Sequence, residues 1–162
     1  MIKLFAMDVD GTMTDGKIYM GNDGEVFKAF DIKDGYGIHE VLPAHGIKTA
    51  IITGRRSKIV ENRAKELEIN FVLQGIKNKG EAIKRLQVEL GIKKNETAFI
   101  GDDIIDLGAM KECGINACPA DATKAVKYYC DYVSPENGGR GAVRDFIDWL
   151  VENEKTDEQG ER

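Results

Sequence analysis

Short apolar runs alternate with polar clusters along this chain, and that alternation restricts its fold more than any other feature. Ile2 to Met7, Lys3 excepted, ends on Asp8-Val9-Asp10-Gly11-Thr12, and Lys48 to Ile52 ends on Thr53-Gly54-Arg55-Arg56-Ser57. Phe71 to Leu73 leads to Lys79 at the head of a helical pattern, and Thr97 to Ile100 ends on Gly101-Asp102-Asp103. Runs this short, apolar on both faces, read as buried strands of a parallel sheet. Between them, Ile59, Val60, Ala64 and Leu67, then Ile83, Leu86 and Leu90, recur at helical spacing. The predicted fold class is α/β: a Rossmann-like parallel sheet with helices on both faces. The polar clusters then gather along one sheet edge, where open α/β folds bind their ligands.

The first cluster carries the sharpest chemistry. On a strand, residues two apart project from one face, so Asp8 and Asp10 converge. Two like charges that close are unfavourable unless a cation lies between them, and a divalent metal meets the need. Gly11 lets the backbone turn sharply and approach a ligand. An ordinary turn after a strand has the same composition, since Asp and Gly are common turn residues. That reading loses ground because three further polar clusters follow strand-like runs at consistent positions.

Residues 17–30 interrupt the βα rhythm. Ile18-Tyr19-Met20 and Val26-Phe27-Lys28-Ala29-Phe30 flank the turn signal Gly21-Asn22-Asp23-Gly24, which predicts a β-hairpin inserted after the first strand. The ribbon is apolar on both faces and must be covered, either by its own domain or by other copies of the chain. Further on, helices are predicted through Ile38, Val41 and Leu42, over Ile104 to Glu112, over Ala122 to Tyr128 and from Ala142 to about Val151. The stretch between the first two strands is too short for a separate cap domain. One domain over residues 1–153 is expected, with a polar tail over 154–162 expected to be mobile.

Composition excludes several classes. With 162 residues and 42% hydrophobic content, the chain can bury a core of its own. No apolar run reaches the roughly 20 residues that span a bilayer. A net charge of -5 disfavours nucleic acid as a partner. The start of the chain lacks the layout of a secretion signal, so the cytoplasm is the expected compartment. Cys113, Cys118 and Cys130 lack paired spacing and read as reduced thiols.

Together these segments resemble the 3-deoxy-D-manno-octulosonate 8-phosphate phosphatases, a capless branch of the haloacid dehalogenase superfamily. The resemblance rests on Asp8-Val9-Asp10-Gly11 with Thr14-Asp15-Gly16, Tyr19 to Asn22, Phe30 to Ile38, Ile52 to Arg55, Gly101-Asp102-Asp103 and Gly138 to Arg144, and covers nearly the whole chain. It implies lipopolysaccharide core synthesis, a phosphorylated sugar acid as substrate, and a homotetramer built through the hairpin in which a neighbour helps complete each site. Asp8 is then the nucleophile and Asp10 the proton donor and acceptor. Magnesium is held by Asp8, the Asp10 carbonyl and Asp102, while Thr53 and Lys79 hold the phosphoryl oxygens. Asp103 and Asp106 orient the loop or Lys79. The run Asp31, Ile32, Lys33, Asp34 and Gly35 is similar to the family's sugar-acid contacts, with Lys33 where Arg is common. Arg55 and Arg63 match positions facing the substrate, and a guanidinium pair suits a carboxylate. For Arg63, a solvated helix face is an equal reading. His39 stands where relatives carry a basic contact, His45 is read as a surface residue, and Arg140 and Arg144 either serve a neighbour's pocket or cap and solvate their own surface.

Two other functions fit the same motifs. One is a phosphatase of a nine-carbon sugar acid 9-phosphate, against which Arg55 argues. The other is a non-catalytic assembly domain, against which the retention of Asp8, Asp10, Thr53, Lys79 and Asp102 argues.

Overall fold

The computed structural model describes the backbone of residues 1–160 and the side chains of residues 1–154. Its centre is β1 (Leu4–Met7), buried along its whole length. Leu4 and Ala6 enter the core on one face of the sheet and Phe5 and Met7 the core on the other, as the two-residue repeat of a strand requires. Around it stand β4 (Lys48–Ile52), β5 (Phe71–Leu73), β6 (Thr97–Ile100), β7 (Ile115–Cys118) and β8 (Tyr132–Val133). They form a six-stranded, wholly parallel sheet in the order β5-β4-β1-β6-β7-β8. The Rossmann-like architecture expected from the sequence is therefore present.

The direction in which successive strands are added reverses at β1, which pairs with β4 on one side and β6 on the other, so β1 is the topological switch point. Register decides what emerges there. Met7 lies opposite both Ile51 and Ile100, so Asp8, Thr53 and Asp102 leave the sheet within a residue or two of one another in register. One face is covered by α3 (Lys58–Glu66) and α7 (Ala142–Gly160), which contribute Val60, Ala64, Val143, Phe146, Ile147 and Leu150. The opposite face is covered by α4 (Lys79–Leu90), α5 (Leu107–Met110) and α6 (Lys124–Tyr129), with Ile83, Leu86, Met110 and Val126 inward.

The hairpin is also present. Strands β2 (Tyr19–Gly21) and β3 (Gly24–Phe27) pair antiparallel in a separate two-stranded sheet. Tyr19 stacks on Phe27 with ring centroids 4.3 Å apart, while Met20 and Val26 stand exposed.

Three boundaries depart from the sequence reading. The run after the hairpin is already helical: α1 spans Ile32–Tyr36, and Asp31 caps it by accepting from the amides of Lys33 and Asp34 at 2.7 and 3.2 Å. It continues as a π-helical turn (Gly37–Val41) into the short α2 (Leu42–Ala44), where Pro43 fits the first turn because no amide is needed there. The helix predicted over Ile104 to Glu112 is instead a 3-10 turn (Ile104–Asp106) followed by α5, because the Asp106 side chain takes up the amides of Asp102 and Asp103. Finally, α7 runs beyond Val151 to Gly160. Residues 161–162, the end of the polar tail, lie outside the described residues. Among the described residues, no helix is long and apolar enough to cross a membrane.

Candidate active site

Asp8, the first residue past β1, is buried and reaches across the edge of the sheet. Lys79 opens α4, whose N-cap Asn78 accepts from the Glu81 amide at 3.0 Å. Its ammonium donates to Asp8 Oδ1 at 2.7 Å and to Asp106 Oδ1 at 2.6 Å. The other Asp106 oxygen accepts from the amides of Asp102 and Asp103 at 3.0 and 3.2 Å. Asp106 thereby ties the loop after β6 to the lysine. Asp103 is exposed and caps the 3-10 turn through the Ile104 amide at 2.7 Å.

Asp102 is where the electrostatics become severe. Carboxylate oxygens of Asp8, Asp102 and Asp106 all lie within 4.8 Å of one another. Burial and the charges of Asp8 and Asp106 push the Asp102 carboxyl up to about 8, although the Thr12 hydroxyl, 3.1 Å away, helps its anion. Burial and the Asp106 charge likewise raise Asp8 to about 6 despite the Lys79 ammonium. Lys79 itself is desolvated, but the two carboxylates outweigh burial and keep it firmly charged. One lysine cannot neutralise three crowded carboxylates, so the cluster is short of positive charge. Hard oxygen donors in that condition fit a small divalent cation. The backbone is shaped to match: Gly11 has φ +90°, and a Cβ there would fall on the Asp102 carboxylate. Since Asp106 is already committed to Lys79 and two amides, Asp8 and Asp102 are the side chains left to hold such an ion.

Asp10 and the hairpin bring in a residue the sequence reading missed. Lys28, just past β3, has a side chain only 1% exposed. Its ammonium donates to Asp10 Oδ1 at 2.5 Å and to Glu25 Oε2 at 2.9 Å. Burial works against its charge, but hydrogen bonds to Asp10 and Glu25 raise its pKa all the same. Glu25 in turn accepts from Ser57 Oγ at 3.1 Å and lies 3.9 Å from the Arg55 guanidinium. Period-two alternation in the ribbon did not single out Lys28; a lysine among apolar strand residues was the available signal. Thr53 is buried at the end of β4, its amide bonded to the Leu73 carbonyl at 2.9 Å.

The remaining candidates lie elsewhere in the subunit. Gly35, Ile32, His39 and Arg63 line a separate hollow of about 260 Å³, which none of Asp8, Asp10, Thr53, Lys79 or Asp102 borders. Asp31 is spent on its helix cap and Lys33 is exposed. Asp34 is buried and accepts from the Arg144 amide at 2.9 Å. Arg63 lies 5.5 Å above the Phe30 ring and pairs with Glu66 at 2.9 Å. His39 contacts Glu40, His45 contacts the Val41 carbonyl, and Arg144 pairs with Asp148 at 2.8 Å. Arg140 is exposed near Asp15. One subunit thus gathers Asp8, Asp10, Lys79 and Asp102 at one edge, with Thr53 ending the adjoining strand and Arg55 joined through Glu25, and leaves the run 31–35 and Arg63 apart.

A parallel sheet carrying a buried Asp-x-Asp-Gly loop, a helix-borne lysine and a third acid at the switch point defines a haloacid dehalogenase-like hydrolase, and the model of that family matches residues 72–147. More narrowly, the chain belongs to the 3-deoxy-D-manno-octulosonate 8-phosphate phosphatase family. It is 45% identical over 150 residues to the enzyme of that name from Escherichia coli K12, covering 93% of this chain and 79% of that protein. The structure of the Yersinia pestis phosphatase superposes with a TM-score of 0.89 at 45% identity, covering 93% of this chain and 80% of the other. That of the Moraxella catarrhalis phosphatase, in complex with magnesium, phosphate and KDO, gives 0.89 at 42% identity, covering 93% and 86%.

Proposed function

We propose that this protein is a magnesium-dependent phosphatase that hydrolyses 3-deoxy-D-manno-octulosonate 8-phosphate to the free sugar acid and phosphate. The observation that carries the reading is the convergence of Asp8, Lys79 and Asp102 at the switch point, in a chain 45% identical to a phosphatase of that substrate. Asp8 attacks phosphorus and forms an aspartyl-phosphate, splitting one difficult hydrolysis into two easier steps. Asp10 gives a proton to the departing sugar oxygen, then takes one from the water that cleaves the acyl phosphate. Thr53 and Lys79 hold the phosphoryl oxygens as charge spreads over them. Magnesium, when held by Asp8, the Asp10 carbonyl and Asp102, supplies the positive charge the cluster lacks.

The separated sugar-acid run takes its meaning from assembly. In a homotetramer joined through the hairpins, residues 31–35 and Arg63 of one subunit are available to the site of another, with Arg55 meeting the substrate carboxylate from within. The cytoplasm is the compartment in which we place the reaction.

Phosphate release from the octulosonate 8-phosphate, measured beside a panel of other phosphosugars, tests the reading. We expect preference for the eight-carbon acid, loss of turnover with EDTA and its return with magnesium. The variant Asp8→Asn should fold normally and lose at least about a thousandfold in kcat, equivalent to ~4 kcal/mol of barrier. Phosphate release retained in that variant would remove Asp8 as nucleophile.

A further inference from the structure

Lys28 is buried beneath the hairpin with both its hydrogen-bonded partners acidic. A surface staple would not need that burial, because an exposed pair serves as well at lower desolvation cost. Its geometry is directional. One N–H fixes Asp10 Oδ1, a second reaches Glu25 Oε2, and the other oxygen of Glu25 accepts from Ser57 in the loop after β4. Without Lys28, the Asp10 carboxylate, itself partly buried, has no side-chain hydrogen-bond partner among the described residues.

We propose that Lys28, itself held by Glu25, is a positioning residue for Asp10, fixing the carboxylate that transfers the proton and linking it to the Ser57 and Arg55 loop. The inference rests on the proton-transfer role of Asp10 proposed above. An aspartate on a glycine-rich loop can sample several rotamers, and a displacement of about 1 Å at a reacting group can lower a rate about a hundredfold. Two anchored ends, one on the hairpin and one on the β4 loop, remove that freedom. Lys28 makes no hydrogen bond or ion pair with Asp8 or Asp102, so its loss acts on the proton carrier and spares the nucleophile.

A double-mutant cycle separates this role from a merely structural one. Lys28→Met, which keeps length and apolar bulk, is expected to lower kcat by about 10- to 100-fold with KM within about threefold. In the Asp10→Asn background the same substitution should change kcat by less than about twofold. A full, additive loss in that background, or a loss confined to KM, would overturn the proposal. Should Lys28→Met fail to fold in a thermal melt, Glu25→Gln decides, because Ser57 and Lys28 donate to different oxygens of Glu25 and the amide keeps one acceptor oxygen in place of two: a threefold to tenfold fall in kcat is expected, on the order of one lost charge-assisted contact, and an unchanged kcat rejects the idea. If Asp10→Asn alone leaves kcat intact, it is the proton-transfer reading that fails, an outcome distinct from failure of the cycle.

Discussion

Asp34 shows how one carboxyl, set inside a helix-packing interface, couples the whole fold to pH. Its Oδ1 is bonded to the Arg144 amide while its buried Oδ2 has no hydrogen-bond partner. Burial raises its pKa from 3.8 to about 6, opposed by the Arg144 amide and aided by the nearby Asp31 charge. A folded-state value above the unfolded one means that folding favours the protonated acid. The stabilisation is complete below pH ~4 and is lost as pH rises through about 6, by at most ~3 kcal/mol at 1.36 per unit. Asp34→Asn keeps an acceptor and removes the charge, so its melting temperature relative to the unsubstituted protein should rise between pH 4.5 and pH 7.5. Thermal denaturation at both values checks this, and an equal difference at the two would contradict it. The same residue shows where sequence stops. The acidic character of the run 31–35 is plain in the chain, but only the helix that Asp31 caps turns Asp34 inward. Asp8 and Lys79 were legible because each stands at the end of an apolar strand or the head of a helix; Lys28 was not, because Asp10, on the loop after β1, meets it only in space.

At the level of elements, the catalytic edge depends on loops pressed together at backbone distance. A Cβ at Gly138 would fall on the Gly11 carbonyl, so the Gly-Gly-Arg-Gly segment packs directly beneath the Asp-x-Asp-Gly loop. This accounts for a motif that the sequence could only match to relatives. Gly11 in turn leaves its space to Asp102. Gly11→Ala would both strain a left-handed backbone and push that carboxylate aside, by about 1 kcal/mol from the backbone alone. We expect the magnesium concentration for half-maximal activity to rise by about tenfold or more with the far-ultraviolet circular dichroism unchanged, which a metal titration of both proteins would measure. An unchanged requirement would separate Gly11 from the metal site. Strand and helix positions followed from periodicity because each buries its own apolar face. The π-helical turn before Pro43 and the 3-10 turn before α5 did not: capture of backbone amides by the Asp106 side chain sets the second, and neither leaves a period to find.

For the whole molecule, the hairpin carries apolar side chains in need of cover. Met20, Val26 and Phe27 are at least half exposed on a ribbon that would be marginal by itself. If subunits associate there, Val26→Asp places a charge in the contact and should convert a tetramer into smaller species. Light scattering coupled to size exclusion reads this directly; a monomer before substitution, or a tetramer unaffected by it, would set the hairpin aside as the assembly element.

The hairpin has two duties, since the lysine just past its second strand grips the acid at the heart of the site while Val26 and Phe27 stand at least half exposed. Trimming the ribbon away would therefore blur two questions into one, removing a neighbour and an internal brace in the same cut. Changing the exposed side chains singly removes the neighbour and leaves the Lys28 brace in place.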